Sequence, residues 1–146
     1  MSRMKGAVAV EFIMLFPFIM AMLYAAAVYG ITFFAKYQMQ DAVDRAVAAA
    51  LYVDRSAYAA ADIAAEVESR AETALGSLKG GLPESWRGQL SDDCTTESAG
   101  GSEMVVCSLT FPSFNSNPIA PSLNFGWLGM FPPLPNELKV QARAAF

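Results

Sequence analysis

The sequence predicts an α+β fold: a long N-terminal helix, apolar at first and then amphipathic, a second helix, and a small antiparallel β-sheet with proline-rich loops. Three observations carry this. No charged side chain occurs from Phe12 to Ala35. Apolar residues then recur at spacings of three and four as far as Leu75. Beyond Pro83, clusters of Gly, Pro, Ser and Asn separate short β-prone runs.

The first element follows from length and polarity. At 1.5 Å per residue, Phe12–Ala35 reaches roughly 36 Å, enough to cross a hydrocarbon core of about 30 Å. A core helix of a water-soluble domain would carry a polar stripe at helical period. Here the polar interruptions are Tyr24, Tyr29 and Thr32. Arg3 and Lys5 precede the run, whereas Lys36 after it is offset by Asp41 and Asp44, so the N-terminus is expected in the cytoplasm and the remainder outside. A cleaved secretory signal peptide has a similar grammar, but its apolar run is shorter and Glu11 sits at the start of this one. Pro17 removes an N–H and crowds the carbonyl of Ile13, so a kink is expected. Ala21, Ala25, Ala26, Ala27 and Gly30 supply small residues that favour close helix–helix approach.

Met39, Val43, Val47, Ala50 and Val53 continue the helix on one face, with Asp41 and Arg45 as an i,i+4 pair. Asp54-Arg55-Ser56 offers capping side chains and marks a break. A second helix is expected from about Ala57, with Ala60, Ile63, Val67, Ala71 and Leu75 inward and Glu66–Arg70 as an ion pair. It ends near Gly76 and Gly80-Gly81-Leu82-Pro83. Met104–Phe111 and Leu138–Phe146 are the strand candidates. Between them stand Pro112, Pro118, Pro121, Pro132, Pro133 and Pro135, which exclude a helix and long central strands. Phe111, Phe114, Phe125, Trp127 and Phe131 are expected in the core of the sheet, with an exposed patch as the alternative.

Composition excludes several functions. Hydrophobic residues are 54 % and charged residues 16 %, against about a quarter charged in ordinary soluble domains; mean hydropathy is +0.31. A net charge of −4 leaves no basic footprint for nucleic acid. Histidine is absent, which removes the commonest general base and metal ligand. An anchored hydrolase would need a nucleophile with an activating base, and without histidine only Ser–Lys or carboxylate schemes are left; no cofactor or metal is expected. Asp92-Asp93 and Glu97 lack calcium-loop spacing and are expected in a solvated loop. Cys94 and Cys107, with no CxxC or CxxH nearby, suit a disulfide closing about 14 residues and worth roughly 3 kcal/mol; two free buried thiols are the alternative. Pairing would imply an oxidising compartment such as a periplasm or cell surface.

The sharpest feature is Gly6-Ala7-Val8-Ala9-Val10-Glu11 ahead of the apolar run. A basic leader ends in glycine, and a lone carboxylate follows five residues later. At the edge of hydrocarbon a carboxylate is costly and needs a partner. Cutting after Gly6 would create an α-amine at Ala7, in this chain or a packed neighbour, that supplies one.

GAVAVEFIMLFPFIMAMLYAAAVYGITFFAKYQMQDAVDRAVAAA resembles the start of TadE-like minor pilins (pseudopilins) of bacterial tight-adherence pili, a type IV pilus system. The resemblance rests on Gly6, Glu11 as fifth residue after it, Pro17, Gly30 and the alanine-rich helix from Gln38 to Ala50. It is strongest over residues 5–50. It implies a type IV pilin-like layout divided as leader 1–6, transmembrane and assembly helix 7–35, helical extension and second helix 36–82, and disulfide-containing β domain 83–146. It further implies cleavage between Gly6 and Ala7 by a prepilin peptidase. Glu11 would be the assembly carboxylate, and the partners would be membrane lipid first, then other pilins through the N-terminal helix, and the inner-membrane assembly machinery. The chain would move from the inner membrane to the pilus surface. Ala7 and Ala9-Val10 depart from type II secretion pseudopilins, which usually have Phe first and Thr-Leu before the glutamate. Major tight-adherence pilins have little beyond the helix, so the distal part here points to a minor, initiating or tip subunit. An unprocessed bitopic membrane protein with an extracytoplasmic partner- or wall-binding domain is the competing class.

Overall fold

A computed structural model describes the backbone of residues 5–146 and the side chains from Ala9 on, Leu128 excepted. The expected leader residues Met1–Met4, with Arg3, lie outside the described residues. Helix α1 runs from Lys5 to Ala50 through Pro17. Then come α2 (Ile63–Lys79), the single turn α3 (Glu84–Arg87), and strands β1 (Ser91–Ala99), β2 (Ser102–Phe111), β3 (Leu123–Asn124), β4 (Met130–Phe131) and β5 (Leu138–Ala145). The fold class is the α+β arrangement expected. Its packing divides into two units, one of residues 1–33 with 118–134, the other of 34–117 with 135–146.

The larger unit holds the sheet, ordered β1-β2-β5 and antiparallel throughout. In β2 the alternate residues Val105, Cys107, Leu109 and Phe111 are almost completely buried, the period of a sheet with one covered face. Leu138 and Val140 of β5 extend that face, opposite Phe111 and Leu109. Helix α2 packs on β1 and β2 with Val67, Ala71 and Leu75 buried. From the distal part of α1, Ala35, Met39, Ala42, Val43, Ala46, Val47 and Ala50 are buried. Their three–four spacing is the predicted amphipathic face. Asp41 and Arg45 pair at 3.0 Å, as expected.

Three expectations are corrected in this unit. First, α2 starts at Ile63, not near Ala57. Asp54 spends its cap on a three-residue 3-10 turn, accepting hydrogen bonds from the N–H of Ser56 (3.0 Å) and its Oγ (2.6 Å). Ala57–Ala61 are all exposed, so Ala60 joins no stripe, and without burial a short alanine-rich stretch does not hold a helix. The helix then passes Gly76 and runs to Lys79. Second, Glu66 and Arg70 form no ion pair among the described residues; Glu68 is the tied carboxylate, accepting from the N–H and Oγ1 of Thr96, each at 3.0 Å. Third, the acidic cysteine loop is a strand.

That strand, β1, meets β2 through Gly100-Gly101, both with positive φ (63° and 84°), flanked by the pair Ala99↔Ser102. Two central residues of positive φ match the right-handed strand twist, and glycine enters that region freely. Asp92 is not simply solvated: Lys79 Nζ pairs with its carboxylate at 2.6 Å and donates to the carbonyl of Leu90 at 2.8 Å. Asp93 and Glu97 are exposed. No cluster of three potential metal ligands occurs among the described residues. Phe111 and Phe114 stack edge to face, 5.5 Å between ring centres, in the core.

Candidate functional site

The smaller unit consists of the proximal part of α1 and the loop 118–134. Along α1 from Val10 to Leu23 the large side chains point outward on every side: Phe12 is 63 % exposed, Met14 76 % and Phe18 67 %. Each would gain roughly 1.5–3 kcal/mol on leaving water. A fold that leaves so many such residues uncovered requires another apolar environment around them. One helix of the described residues is long and apolar enough to cross a membrane, and only 6 % of its most apolar window is buried, unlike the core helix of a soluble protein.

Toward its distal end this segment acquires a covered stripe. Val28 and Thr32 are buried, and Ala21, Tyr24, Ala25 and Tyr29 partly so. The loop lies along this stripe. Tyr24 donates its hydroxyl hydrogen bond to the carbonyl of Pro121, and Tyr29 to the carbonyl of Pro133 at 3.1 Å. Thr32 Oγ1 donates to the carbonyl of Val28 at 2.9 Å, so all three polar interruptions of the apolar run have acceptors. Within the loop, Ala120 and Pro132 are buried. A short hairpin pairs Leu123 with Phe131 and Asn124 with Met130.

The loop corrects the expectation that the distal aromatics form one core. Phe111 and Phe114 are buried, but Phe125 is 51 % exposed and Trp127 92 %. The signal lay in charge: no Asp, Glu, Lys or Arg occurs from Met104 through Asn136. The prolines of this stretch exclude a helix, and its lack of charge is the feature that goes with the exposed Phe125 and Trp127.

The expected small-residue side of the helix divides as well. Ala21 and Ala25 lie on the covered stripe, whereas Ala26, Ala27 and Gly30 are exposed, and a Cβ added at Gly30 meets no atom within 4 Å. At the proximal end Gly6 and Ala7 stand in the helical backbone beginning at Lys5. Glu11 is exposed and makes no ion pair among the described residues. Gly6, Ala7 and Glu11 therefore fall on one helix within two turns. Cys94 and Cys107 belong to the other unit, opposite each other in the β1–β2 ladder and joined by a disulfide; among the described residues no free cysteine remains.

Comparison with curated proteins and with solved structures produced no significant match. Residues 6–48, however, match the family model described as TadE-like protein. The match begins at Gly6, takes in Glu11 and the whole apolar run, and ends in the alanine-rich turn before Ala50. Over that segment, which is less than a third of the chain, the sequence is similar to the TadE-like family.

Proposed function

We propose that this chain is a minor pilin (pseudopilin) of a tight-adherence pilus, inserted in the inner membrane, trimmed after Gly6 by a prepilin peptidase, and then packed helix to helix with other pilins. It acts in assembly, initiation or tip structure and catalyses no reaction. The observation that carries this reading is the combination of the TadE-like segment with a helix whose large apolar side chains are exposed all round from Val10 to Leu23. Lipid covers such a surface first. In the filament, neighbouring helices do so, with Ala26, Ala27 and Gly30 allowing close approach.

The chemistry at the proximal end fits the same sequence of events. In this reading the peptidase hydrolyses the Gly6–Ala7 bond on the cytoplasmic side. Hydrolysis leaves a protonated amine on Ala7. A carboxylate at Glu11, held near hydrocarbon, then has a cation within reach on its own or an adjacent chain. The sheet unit, with its disulfide, stands on the extracytoplasmic side in this reading.

N-terminal sequencing or intact-mass measurement of protein from cells containing the peptidase tests the proposal. A start at Ala7 is expected, with Arg3 and Lys5 removed and a side-chain charge of −6, from 8 basic and 14 acidic residues. A chain still beginning at Met1 would exclude processing and leave the bitopic anchor.

A further inference from the structure

We propose that the loop 118–134 is a membrane-embedded element, seated on the outer-leaflet half of α1, with the exposed Trp127 in contact with lipid. This rests on the membrane insertion proposed above and extends it from one helix to a second, non-helical segment.

Charge is the first argument. The unit formed by residues 1–33 and 118–134 carries only Arg3, Lys5 and Glu11 as charged residues, all at its proximal end. Its loop presents Leu123 (45 % exposed), Phe125, Trp127 and Met130 (42 %) outward. A water-facing loop of this length ordinarily carries charge, and a patch of four large apolar residues beside an apolar helix marks an interaction site.

Depth is the second. About 20 helical residues cross the hydrocarbon core. Counting from Glu11 puts the outer edge near Ile31. Tyr29 then lies roughly 3 Å inside that edge and Tyr24 about 10 Å inside. The loop is bonded to these two residues, and its Phe125, Met130 and Phe131 line one cavity with Ala21, about 15 Å inside the edge, so it reaches from the boundary into the hydrocarbon.

The test uses the full chain in phosphatidylcholine vesicles with bromine either just below the headgroup or near the acyl-chain ends. Trp86 is 8 % exposed and Trp127 92 %. The difference between the wild-type spectrum and that of Trp127→Phe thus isolates Trp127 while leaving the buried Trp86 untouched. Expected is a blue-shifted Trp127 emission, quenched by bromine and resistant to aqueous iodide. The double variant Trp127→Phe/Phe18→Trp reports on the helix itself, and deep bromine should quench the added indole. If that indole is quenched while Trp127 is open to iodide and indifferent to bromine, the loop proposal is overturned and the anchor stands; the patch then faces water or another protein. If neither indole responds to bromine, membrane insertion itself is wrong, and the loop proposal with it.

Discussion

Tyr29 donates a hydrogen bond to the carbonyl of Pro133 across 104 positions of sequence, at 3.1 Å. With the matching bond from Tyr24 to Pro121, it ties a proline-rich loop to the helix at two points about a turn and a half apart. Each bond contributes roughly 1 kcal/mol, and its loss leaves a carbonyl short of a donor.

Replacing both tyrosines by phenylalanine should therefore loosen the loop without touching the sheet unit. Hydrogen exchange of amides in residues 119–131 is expected to rise about fivefold for each bond lost, at roughly 1 kcal/mol apiece. Exchange in β2 and β5 should stay as it was. Equal protection of the loop in wild type and variant would remove the two hydroxyls as its attachment.

The disulfide offers a second test. Cys94 and Cys107 face each other in the β1–β2 ladder, equidistant from the Gly100-Gly101 turn. Cross-linking across a loop of this length is worth about 3 kcal/mol in the chain-entropy treatment. Since a one-kilocalorie change moves the midpoint of a small domain by about 4–8 °C, reduction should lower the midpoint of the sheet unit by roughly 10 °C or more. A melt in detergent that is unchanged by reductant, or two thiols found by alkylation of unreduced protein, would defeat this assignment.

How much of this was legible in the sequence differs by element. The long helix was, because its signals are local: an uncharged run, then a three–four period through Met39, Val43, Val47 and Ala50. Strand β2 was legible because MVVCSLTF is a β-prone run set between Gly100-Gly101 and Pro112. Strand β1 was not, since SDDCTTESA has the composition of a loop. It pairs because of its partner and the turn, and the Gly100-Gly101 dipeptide midway between two cysteines was the available clue. The onset of α2 escaped because alanine favours helix wherever it stands, while burial begins only at Ile63. The seat of the loop on Tyr24 and Tyr29 is a long-range relation that no local period encodes. Gly6, Ala7 and Glu11 were visible as a motif, and the geometry adds only that they share one helix.

Asp54 gives a pH-dependent prediction. Its carboxyl is held below the usual value of 3.8 by hydrogen bonds from the side chain and then the backbone N–H of Ser56. A folded-state value below the unfolded one means the charged form favours the folded turn. That contribution is full above the unfolded value and fades as pH falls through the folded one. The turn at Arg55–Ala57 should therefore open below about pH 3.8, visible as a shift of the Ser56 amide resonance. Asp54→Asn keeps an acceptor without the charge and should flatten that dependence. A Ser56 amide that titrates identically in the variant would show that another group governs the turn.

The assembly role of the helix separates into two variants with different expected failures. At Gly30 the helix surface is open, and an added Cβ meets nothing, so Gly30→Leu should fold, insert and melt like wild type. If close helix approach at Ala26, Ala27 and Gly30 builds the filament, the bulk added there keeps neighbours apart. Recovery in sheared pili should then fall at least tenfold while membrane levels hold. Glu11→Ala should also insert normally, since it removes a costly charge from the edge of hydrocarbon. Its loss of recovery would come from the missing partner for a neighbour's amine, and Glu11→Asp should restore part of it, whereas no conservative change at the carboxylate should rescue Gly30→Leu. Wild-type recovery of Glu11→Ala would take Glu11 out of assembly, and wild-type recovery of Gly30→Leu would move the packing face to another side of the helix.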